Sequence, residues 1–159
     1  MEASRSAGGC KERYFLLKLG VEMKDETIGR IGDYLKTFDI NVIPNDQGDV
    51  DFIEKSLHWN IDPDYKQFIL MFGGCYIGLP VYGVRNCSLL EDVSVVELTN
   101  EFKIDCDSIA DGCCVISMDG GGNPIFFNLS GSISIYDHNL GREDGFAKNF
   151  EDMILSAIG

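Results

Sequence analysis

The strongest constraint on the fold lies between residues 113 and 137, where three short apolar runs alternate with turn residues. The runs read "CCVISM", "PIFFNL" and "SISIYD", and they are separated by "DGGGN" and by a serine–glycine turn. Apolar runs of this length, joined by such short turns, are typical of strands that pair with their neighbours along the chain. The segment therefore predicts an antiparallel meander.

The glycine-rich turn within this segment also invites comparison with phosphate-binding loops. Those loops lie between a strand and the N-terminus of a helix, because the free N–H groups of the helix end hold the phosphate. Here an apolar strand follows the glycines, and no Lys-Ser or Lys-Thr pair accompanies them. We therefore interpret "DGGGNP" as a hairpin turn.

Helix signals are strongest between residues 62 and 74. Asp62 suits the N-cap, Pro63 suits the first helical position, and Gly73 and Gly74 end the segment. Four predicted helices carry apolar residues at helical spacing. They are Ile28, Ile31, Leu35 and Phe38 after a cap at Asp25; Phe52, Ile53 and Leu57; Tyr65, Phe68, Ile69 and Phe72; and Phe146, Phe150, Met153, Ile154 and Ala157 after a cap at Asp144.

Two other segments complete the prediction. Residues 91–103 allow a strand through their valines or a helix through Val95, Leu98 and Phe102, and we predict a helix. Pro44 and Gly48 predict a loop over residues 41–49, a candidate boundary between an N-terminal addition and the main body.

Together the elements predict a single α+β domain, with an antiparallel or mixed sheet flanked by helices. A length of 159 residues suits one domain. We expect residues 1–12 to be frayed because they are small and polar. The run "RYFLLKL" after them is predicted to form a strand.

The composition excludes several classes of function. The chain carries 26 Asp and Glu against 13 Lys and Arg, a formal net charge of −13. An acidic surface repels nucleic-acid phosphates and attracts basic partners. The apolar runs are too short to cross a bilayer, and "MEASRSAGGCKER" lacks the apolar centre of a secretory signal. We therefore expect a cytoplasmic protein that binds a basic partner but neither nucleic acid nor membranes.

Candidate catalytic and metal sites are few. The six cysteines, at positions 10, 75, 87, 106, 113 and 114, show no Cys-x-x-Cys spacing, so we interpret them as free, packed thiols. The acidic stretches "NDQGDVDFIE" and "DCDSIADG" do not match a calcium loop. We expect Asp137 and His138 to form a turn at a strand end. No catalytic residue, metal site or cofactor is predicted, although a Cys–His pair formed in space stays open for His58 or His138.

The order of these segments resembles one known family. "IDPDYKQFILMFGGCYI", "VVELTNEF", "CVISMDGGGNPIFFNLSGSISIYDHN" and "FAKNFEDMI" are similar to the SUKH superfamily, named for Syd, a herpesvirus family and a yeast cell-wall synthesis regulator. The resemblance implies an α+β core over about residues 50–159, with residues 13–49 as an N-terminal addition, and neither catalytic residues nor a cofactor. The positions that match the family's structural pattern are Pro63, Tyr65, Phe68, Gly73, Gly74, Gly122, Phe126, Phe127 and Asp137. Asp62 and Phe72 depart from the usual Leu and Asn.

Bacterial SUKH members are mostly cytoplasmic immunity proteins that neutralise toxin domains, frequently nucleases or deaminases, of polymorphic or contact-dependent systems. The resemblance therefore implies a toxin-binding protein, and the basic groove of a nuclease suits an acidic partner. The candidate contact residues, expected on loops or at element ends, are Glu91, Asp92, Asp105, Asp107, Asp111, Glu143 and Asp144. Any one of these carboxylates could instead belong to a solvated face.

Two other functions stay open. A regulatory scaffold, as in the yeast branch of the superfamily, would bind signalling partners without inhibiting an enzyme. An enzyme would need a cysteine with a reactive thiolate near a histidine.

Overall fold

Five helices and two antiparallel sheets make up the part of the chain that the computed structural model describes, residues 23–159. In chain order the elements are α1 (Asp25–Thr37), α2 (Gln47–Leu57), α3 (Pro63–Phe72), β1 (Cys75–Tyr76), β2 (Pro80–Val81), α4 (Val95–Asp105), β3 (Cys114–Met118), β4 (Pro124–Phe127), β5 (Ile133–Asp137), β6 (Arg142–Ala147) and α5 (Phe150–Ile158). Strands β1 and β2 pair with each other, and the larger sheet has the order β3-β4-β5-β6. The predicted α+β class is confirmed, and both sheets are antiparallel.

The predicted meander is confirmed as strands β3, β4 and β5. Phe126 of β4 lies between Val115 of β3 and Ser134 of β5 in antiparallel register. The glycine-rich segment is the β3–β4 turn, in which the Asp119 carboxylate accepts a hydrogen bond of 2.9 Å from the N–H of Asn123. The turn therefore closes on itself, as a hairpin does.

The ends of α3 lie where the sequence predicts them. Asp62 is the N-cap, its carboxylate accepts a hydrogen bond of 3.0 Å from the N–H of Tyr65, and Pro63 is the first helical residue. Gly73 ends the helix with a φ of +68°, and a side chain there would collide with the carbonyl group of Ile43. Only glycine meets both conditions without strain.

Helix α2 begins earlier than predicted, at Gln47, so the loop predicted over residues 41–49 ends at Asp46. The side chains of Asp46 and Asp49 each accept a hydrogen bond from the other's backbone N–H, at 3.0 and 2.9 Å. This capping box stabilises the first turn although Gly48 lies within it. A helix is confirmed within the segment 91–103, but α4 begins later than predicted, at Val95, after a capping box formed by Ser94 and Glu97.

The C-terminal helix begins later than predicted. Residues Arg142–Ala147 form β6, and Asp144 lies within this strand instead of capping a helix. Asn149 caps α5, where its side chain accepts a hydrogen bond of 2.8 Å from the N–H of Asp152. Because Phe146 belongs to β6, it is 44% exposed and lies outside the buried stripe of α5.

Two other predicted core positions are also exposed. Phe38 follows the end of α1 and is 60% exposed, and Phe52 is 46% exposed. The buried face of α2 consists of Val50, Ile53 and Leu57. Their i, i+3, i+7 spacing leaves Phe52 towards solvent. Asp25 is the first residue of α1, whose N-cap is Lys24.

The core forms between β4 and the helices α3 and α5. The ring of Phe127 lies at its centre, with ring centroids 5.2 Å from Trp59, 6.0 Å from Tyr65 and 6.3 Å from Phe150. Helix α4 packs against β3, and α1 packs against α5. The α1 helix is thus part of the folded unit.

Some predictions concern residues that the structure does not describe. The frayed residues 1–12, the strand at "RYFLLKL" and Cys10 fall in this part of the chain. Within residues 23–159, no helix has the length and apolarity needed to cross a membrane.

Candidate protein-binding surfaces

A cavity of about 670 Å³ opens between the β1–β2 hairpin, the β3–β4 turn and β6. We call it the cleft and define it by six of its residues, which are Tyr76, Leu79, Tyr82, Glu91, Asp119 and Phe146. Tyr76 is 40% exposed and Phe146 is 44% exposed, so two aromatic rings are accessible. Among the described residues, no Lys, Arg or His lines the cleft.

The floor of the cleft is held by two hydrogen bonds of Tyr82. Its backbone carbonyl accepts a bond of 2.6 Å from the hydroxyl of Tyr65 in α3. Its N–H donates a bond of 2.8 Å to the carbonyl of Ile116 in β3. Tyr82 is therefore attached to a helix on one side and to the larger sheet on the other.

The hairpin wall of the cleft lies directly on α5. Gly78, between β1 and β2, has a φ of +95°, and a side chain there would collide with the carbonyl of Ala157. Glycine allows both the turn and this close approach. The contact holds the hairpin that carries Tyr76 and Leu79.

Glu91 reaches the cleft on a loop whose shape depends on Asn86. The Asn86 side chain accepts a hydrogen bond of 2.8 Å from the N–H of Gly83, and it donates to the carbonyls of Val93 at 2.7 Å and Glu91 at 3.3 Å. A side chain at Gly74 would collide with the Asn86 amide. The glycine after Gly73 thus leaves room for the residue that organises this loop.

The cleft carries negative charge at neutral pH. Partial burial raises the pKa of Asp119, but hydrogen bonds from Asn123 and from the N–H of Gly121 outweigh it and leave that pKa below its ordinary value. Burial raises the pKa of Tyr82, and the Glu91 carboxylate raises it further. Asp119 is therefore ionised, and Glu91 acts electrostatically on the cleft floor.

A second surface, which we call the acidic patch, consists of Asp105, Asp107, Asp111, Leu129 and Glu143. Asp105 ends α4, whereas Asp107 and Asp111 lie on the loop that follows. Leu129 and Glu143 line one shallow depression of about 270 Å³, together with Ser108 from that loop. Leu129 is 71% exposed, so the Glu143 carboxylate shares this depression with an accessible apolar side chain.

A lysine side chain forms an ion pair with one carboxylate of the acidic patch. Lys103 of α4 forms a salt bridge of 3.0 Å with Asp111. The remaining three carboxylates of the patch are exposed. A pair at the surface contributes little to stability, but it lowers the charge that the patch presents.

The structure divides the predicted acidic residues between these surfaces. Glu91 belongs to the cleft, and Asp92 is exposed beside it on the same loop. Glu143 joins the acidic patch, whereas Asp144 pairs with Arg142 at 3.2 Å. Both Glu143 and Asp144 lie within a strand, and not on a loop or at an element end, because β6 pairs with β5 here.

Of the six residues that define the cleft, the sequence analysis predicts only Glu91 as functional; the other five are Tyr76, Leu79, Tyr82, Asp119 and Phe146. The signal for the first two is weak: "CYIGLPVYG" places aromatic and apolar residues among turn residues. Phe146 was assigned to a buried helix face. Its exposure follows only from the position of β6.

The positions that match the SUKH structural pattern make scaffold contacts. The buried ones are Tyr65, Phe68, Gly73, Gly74, Phe126 and Phe127. Pro63 begins α3, and Gly122 lies in the β3–β4 turn, where its N–H donates a bond of 3.1 Å to the Asp119 carbonyl. These contacts support the fold, and none of these side chains belongs to the acidic patch.

Asp137 is the last residue of β5 and His138 begins the turn that follows, at the predicted strand end. The Asp137 carboxylate accepts hydrogen bonds from the N–H groups of Asn139 at 2.8 Å and Leu140 at 3.1 Å. The His138 ring stacks on Phe102 of α4, with centroids 6.2 Å apart. Asp137 therefore bonds to the backbone of the turn that follows it.

The thiols of the described cysteines are buried. These residues are Cys75, Cys87, Cys106, Cys113 and Cys114. Burial raises the pKa of Cys75 to about 12, and the neighbouring Cys87 adds to this effect. Burial also raises the pKa of Cys106, Cys113 and Cys114. A nucleophilic thiolate needs a low pKa and access to its substrate, so these environments argue against the Cys–His alternative.

No group of three or more potential metal ligands occurs within residues 23–159.

Comparison with known proteins identifies the family. The sequence model of the SMI1 / KNR4 family (SUKH-1) matches residues 44–156, which span α2 to α5 and include both surfaces. The chain belongs to this family. The resemblance to the SUKH superfamily is thereby confirmed, and α1 lies outside the matched span. No curated protein and no solved structure gives a significant match.

Membership in SUKH-1 narrows the type of activity. The SUKH/SMI1 family is generally non-enzymatic, and membership in it suggests a function in protein–protein interaction. Within residues 23–159 of this SUKH-1 protein, the cleft and the acidic patch are therefore candidate binding surfaces.

Proposed function

We propose that this SUKH-1 protein is a cytosolic immunity protein that binds a cognate toxin domain and blocks its active site. Family membership supports binding rather than catalysis. The toxin class that best suits an acidic inhibitor is a nuclease or deaminase, because such a domain needs a basic surface to bind nucleic-acid phosphates. The acidic patch is the surface that would meet it.

The arrangement of the acidic patch carries this proposal. Asp105, Asp107 and Glu143 carry exposed carboxylates, and Glu143 lines the same depression as the accessible side chain of Leu129. Exposed charges chiefly raise the rate of encounter with an oppositely charged partner. An apolar side chain that becomes buried contributes to the lifetime of the complex. The patch offers both contributions in one place.

The first experiment is co-expression with the toxin domain encoded by the neighbouring gene. We expect cells that carry both proteins to survive, and the two proteins to purify together as a stable complex. Soluble protein that neither rescues the cells nor binds the toxin would contradict the immunity function.

A matched pair of variants then tests the patch itself. The patch variant carries Asp105→Asn, Asp107→Asn and Glu143→Gln. The control variant carries Asp33→Asn, Asp39→Asn and Asp51→Asn, three exposed residues of α1, its C-terminal turn and α2. We expect the association rate at low ionic strength to fall about tenfold in the patch variant, with a weaker salt dependence, and little change in the control. Equal losses would show that overall charge, and not the patch, steers the encounter.

A regulatory scaffold is the second candidate function. The family that matches carries the SMI1 / KNR4 name, and the superfamily includes a yeast cell-wall synthesis regulator. A scaffold would bind signalling partners through the same kinds of surface but would protect no cell from a toxin. The absence of a neighbouring toxin gene, or failed rescue by soluble protein, would favour this function.

A further inference from the structure

We propose that the cleft is a separate binding site, which takes an arginine side chain presented by a segment of a partner protein. The proposal depends neither on the acidic patch nor on whether the partner is a toxin. It rests on the shape of the cleft, on the charge of its lining and on the way its walls are held.

The shape suits one long side chain with its flanking residues. The cleft measures about 670 Å³, within the range of about 300–1,000 Å³ that is usual for sites of small ligands. The accessible rings of Tyr76 and Phe146 lie among its lining residues. A guanidinium group stacks on such rings, and its aliphatic stem covers apolar surface such as Leu79.

The charge of the cleft favours a cation. Two carboxylates line it, and none of its described lining residues is basic. The Asp119 carboxylate already accepts bonds of 2.9 Å from the N–H groups of Gly121 and Asn123, so it contributes mainly its field. Glu91 is exposed, which makes it the direct acceptor for a guanidinium. Arginine can form two parallel hydrogen bonds to one carboxylate, which lysine cannot.

The site is also formed in advance. Tyr82 is attached to α3 and β3, Gly78 holds the hairpin against α5, and Asn86 holds the loop that carries Glu91. Because these walls are ordered before a ligand binds, binding does not have to order them. More of the contact energy therefore appears as affinity.

A peptide titration of the full chain tests the proposal. The test peptides are acetyl-Leu-Arg-Leu-amide and its citrulline analogue, which has nearly the same shape but no charge. We expect the arginine peptide to cause saturable NMR shifts of the backbone amides of Gly78, Glu91 and Gly120, three residues that line the cleft. We also expect it to bind about tenfold more tightly than the citrulline peptide.

Two variants, each with a matched control, locate the contact. Glu91→Gln removes the negative charge of an exposed side chain in the cleft, and Glu101→Gln removes that of an exposed side chain on α4. Phe146→Ala removes a ring that is 44% exposed, and Phe52→Ala removes one that is 46% exposed on α2. We expect each cleft variant to weaken binding of the arginine peptide about fivefold and each control to leave it unchanged.

Several outcomes would overturn the proposal. They are equal affinity for the two peptides, shifts centred outside the cleft, no saturable shift at all, and equal losses in the cleft and control variants. Shifts of the cleft amides that depend on protein concentration without peptide would assign the cleft to a second copy of the chain, and would overturn it as well.

Discussion

The hydroxyl of Tyr65 donates a hydrogen bond of 2.6 Å to the backbone carbonyl of Tyr82, and both side chains are buried. This bond joins α3 to the strand region that forms the floor of the cleft. The same Tyr65 ring packs against Phe127 and Phe150 at the centre of the core. One residue therefore couples the core to a candidate binding surface.

Removal of this hydroxyl should destabilise the protein. Tyr65→Phe keeps the ring but leaves the Tyr82 carbonyl without its donor, so we expect the free energy of unfolding to fall by about 1–2 kcal/mol. Urea denaturation measures the change. Tyr76→Phe is the control, because Tyr76 is 40% exposed. Similar stability of the two variants would mean that water replaces the lost donor.

Asn86 should govern both stability and the position of Glu91. Asn86→Ala removes one acceptor and two donated bonds, and we expect a loss of about 2 kcal/mol in the free energy of unfolding. Hydrogen exchange should also show faster exchange in the loop around Glu91. Asn139→Ala, at an exposed turn position, is the control. An unchanged loop in Asn86→Ala would refute this role.

The attachment of α1 should depend on Glu151 of α5. Its carboxylate accepts hydrogen bonds of 3.0 Å from the N–H of Lys24 and 2.6 Å from the hydroxyl of Thr27, and so caps α1 from another helix. We expect Glu151→Ala to lower the free energy of unfolding by about 1–2 kcal/mol and to speed hydrogen exchange selectively in α1.

Asp152→Ala is the matched control for this variant, because both acids lie in the first turn of α5 and interact with the same helix dipole. If protection from hydrogen exchange falls evenly along the chain, or equally in both variants, Glu151 has no special role at α1.

The buried thiols should make the protein less stable at high pH. The pKa of Cys75 is about 12 in the folded chain, against an ordinary value of 9.0. Above the ordinary value the unfolded chain loses this proton and the folded chain keeps it, so stability is full below pH 9 and falls as the pH rises towards 12.

Urea denaturation at about pH 8 and about pH 10 measures this effect, which is at most about 1.4 kcal/mol per pH unit for one thiol. The raised pKa values of Cys114 and Tyr65 act in the same direction. We expect a smaller decrease in Cys75→Ala than in the parent protein. An identical decrease would assign the pH dependence to the other buried groups.

Thiol reactivity offers an independent check of the Cys–His alternative. In a Cys10→Ser variant, we expect the five described thiols to react with a disulfide reagent only after unfolding, because all five are buried. One thiol that reacts rapidly with the folded protein, faster as the pH rises through neutrality, would revive the enzyme hypothesis.

Elements with local signals were predicted well. The ends of α3 depend on Asp62, Pro63 and Gly73, whose effects act within one helical turn. The glycine-rich turn was recognisable because the strands on either side of it are apolar. The edge strand β6 was not, because its sequence "REDGFA" shows no apolar alternation. Its pairing with β5 decides its structure, and that pairing is a tertiary contact.

The sequence by itself determined the α+β class, both ends of α3, the SUKH resemblance and the acidic charge, because these follow from short-range patterns or from composition. Only the tertiary structure decided that Glu91 lies in a cleft with Tyr76 and Phe146, while Glu143 joins the loop after α4. These residues come from distant segments whose side chains meet only when the sheet and helices pack. Local patterns specify elements, and packing specifies which surfaces those elements form.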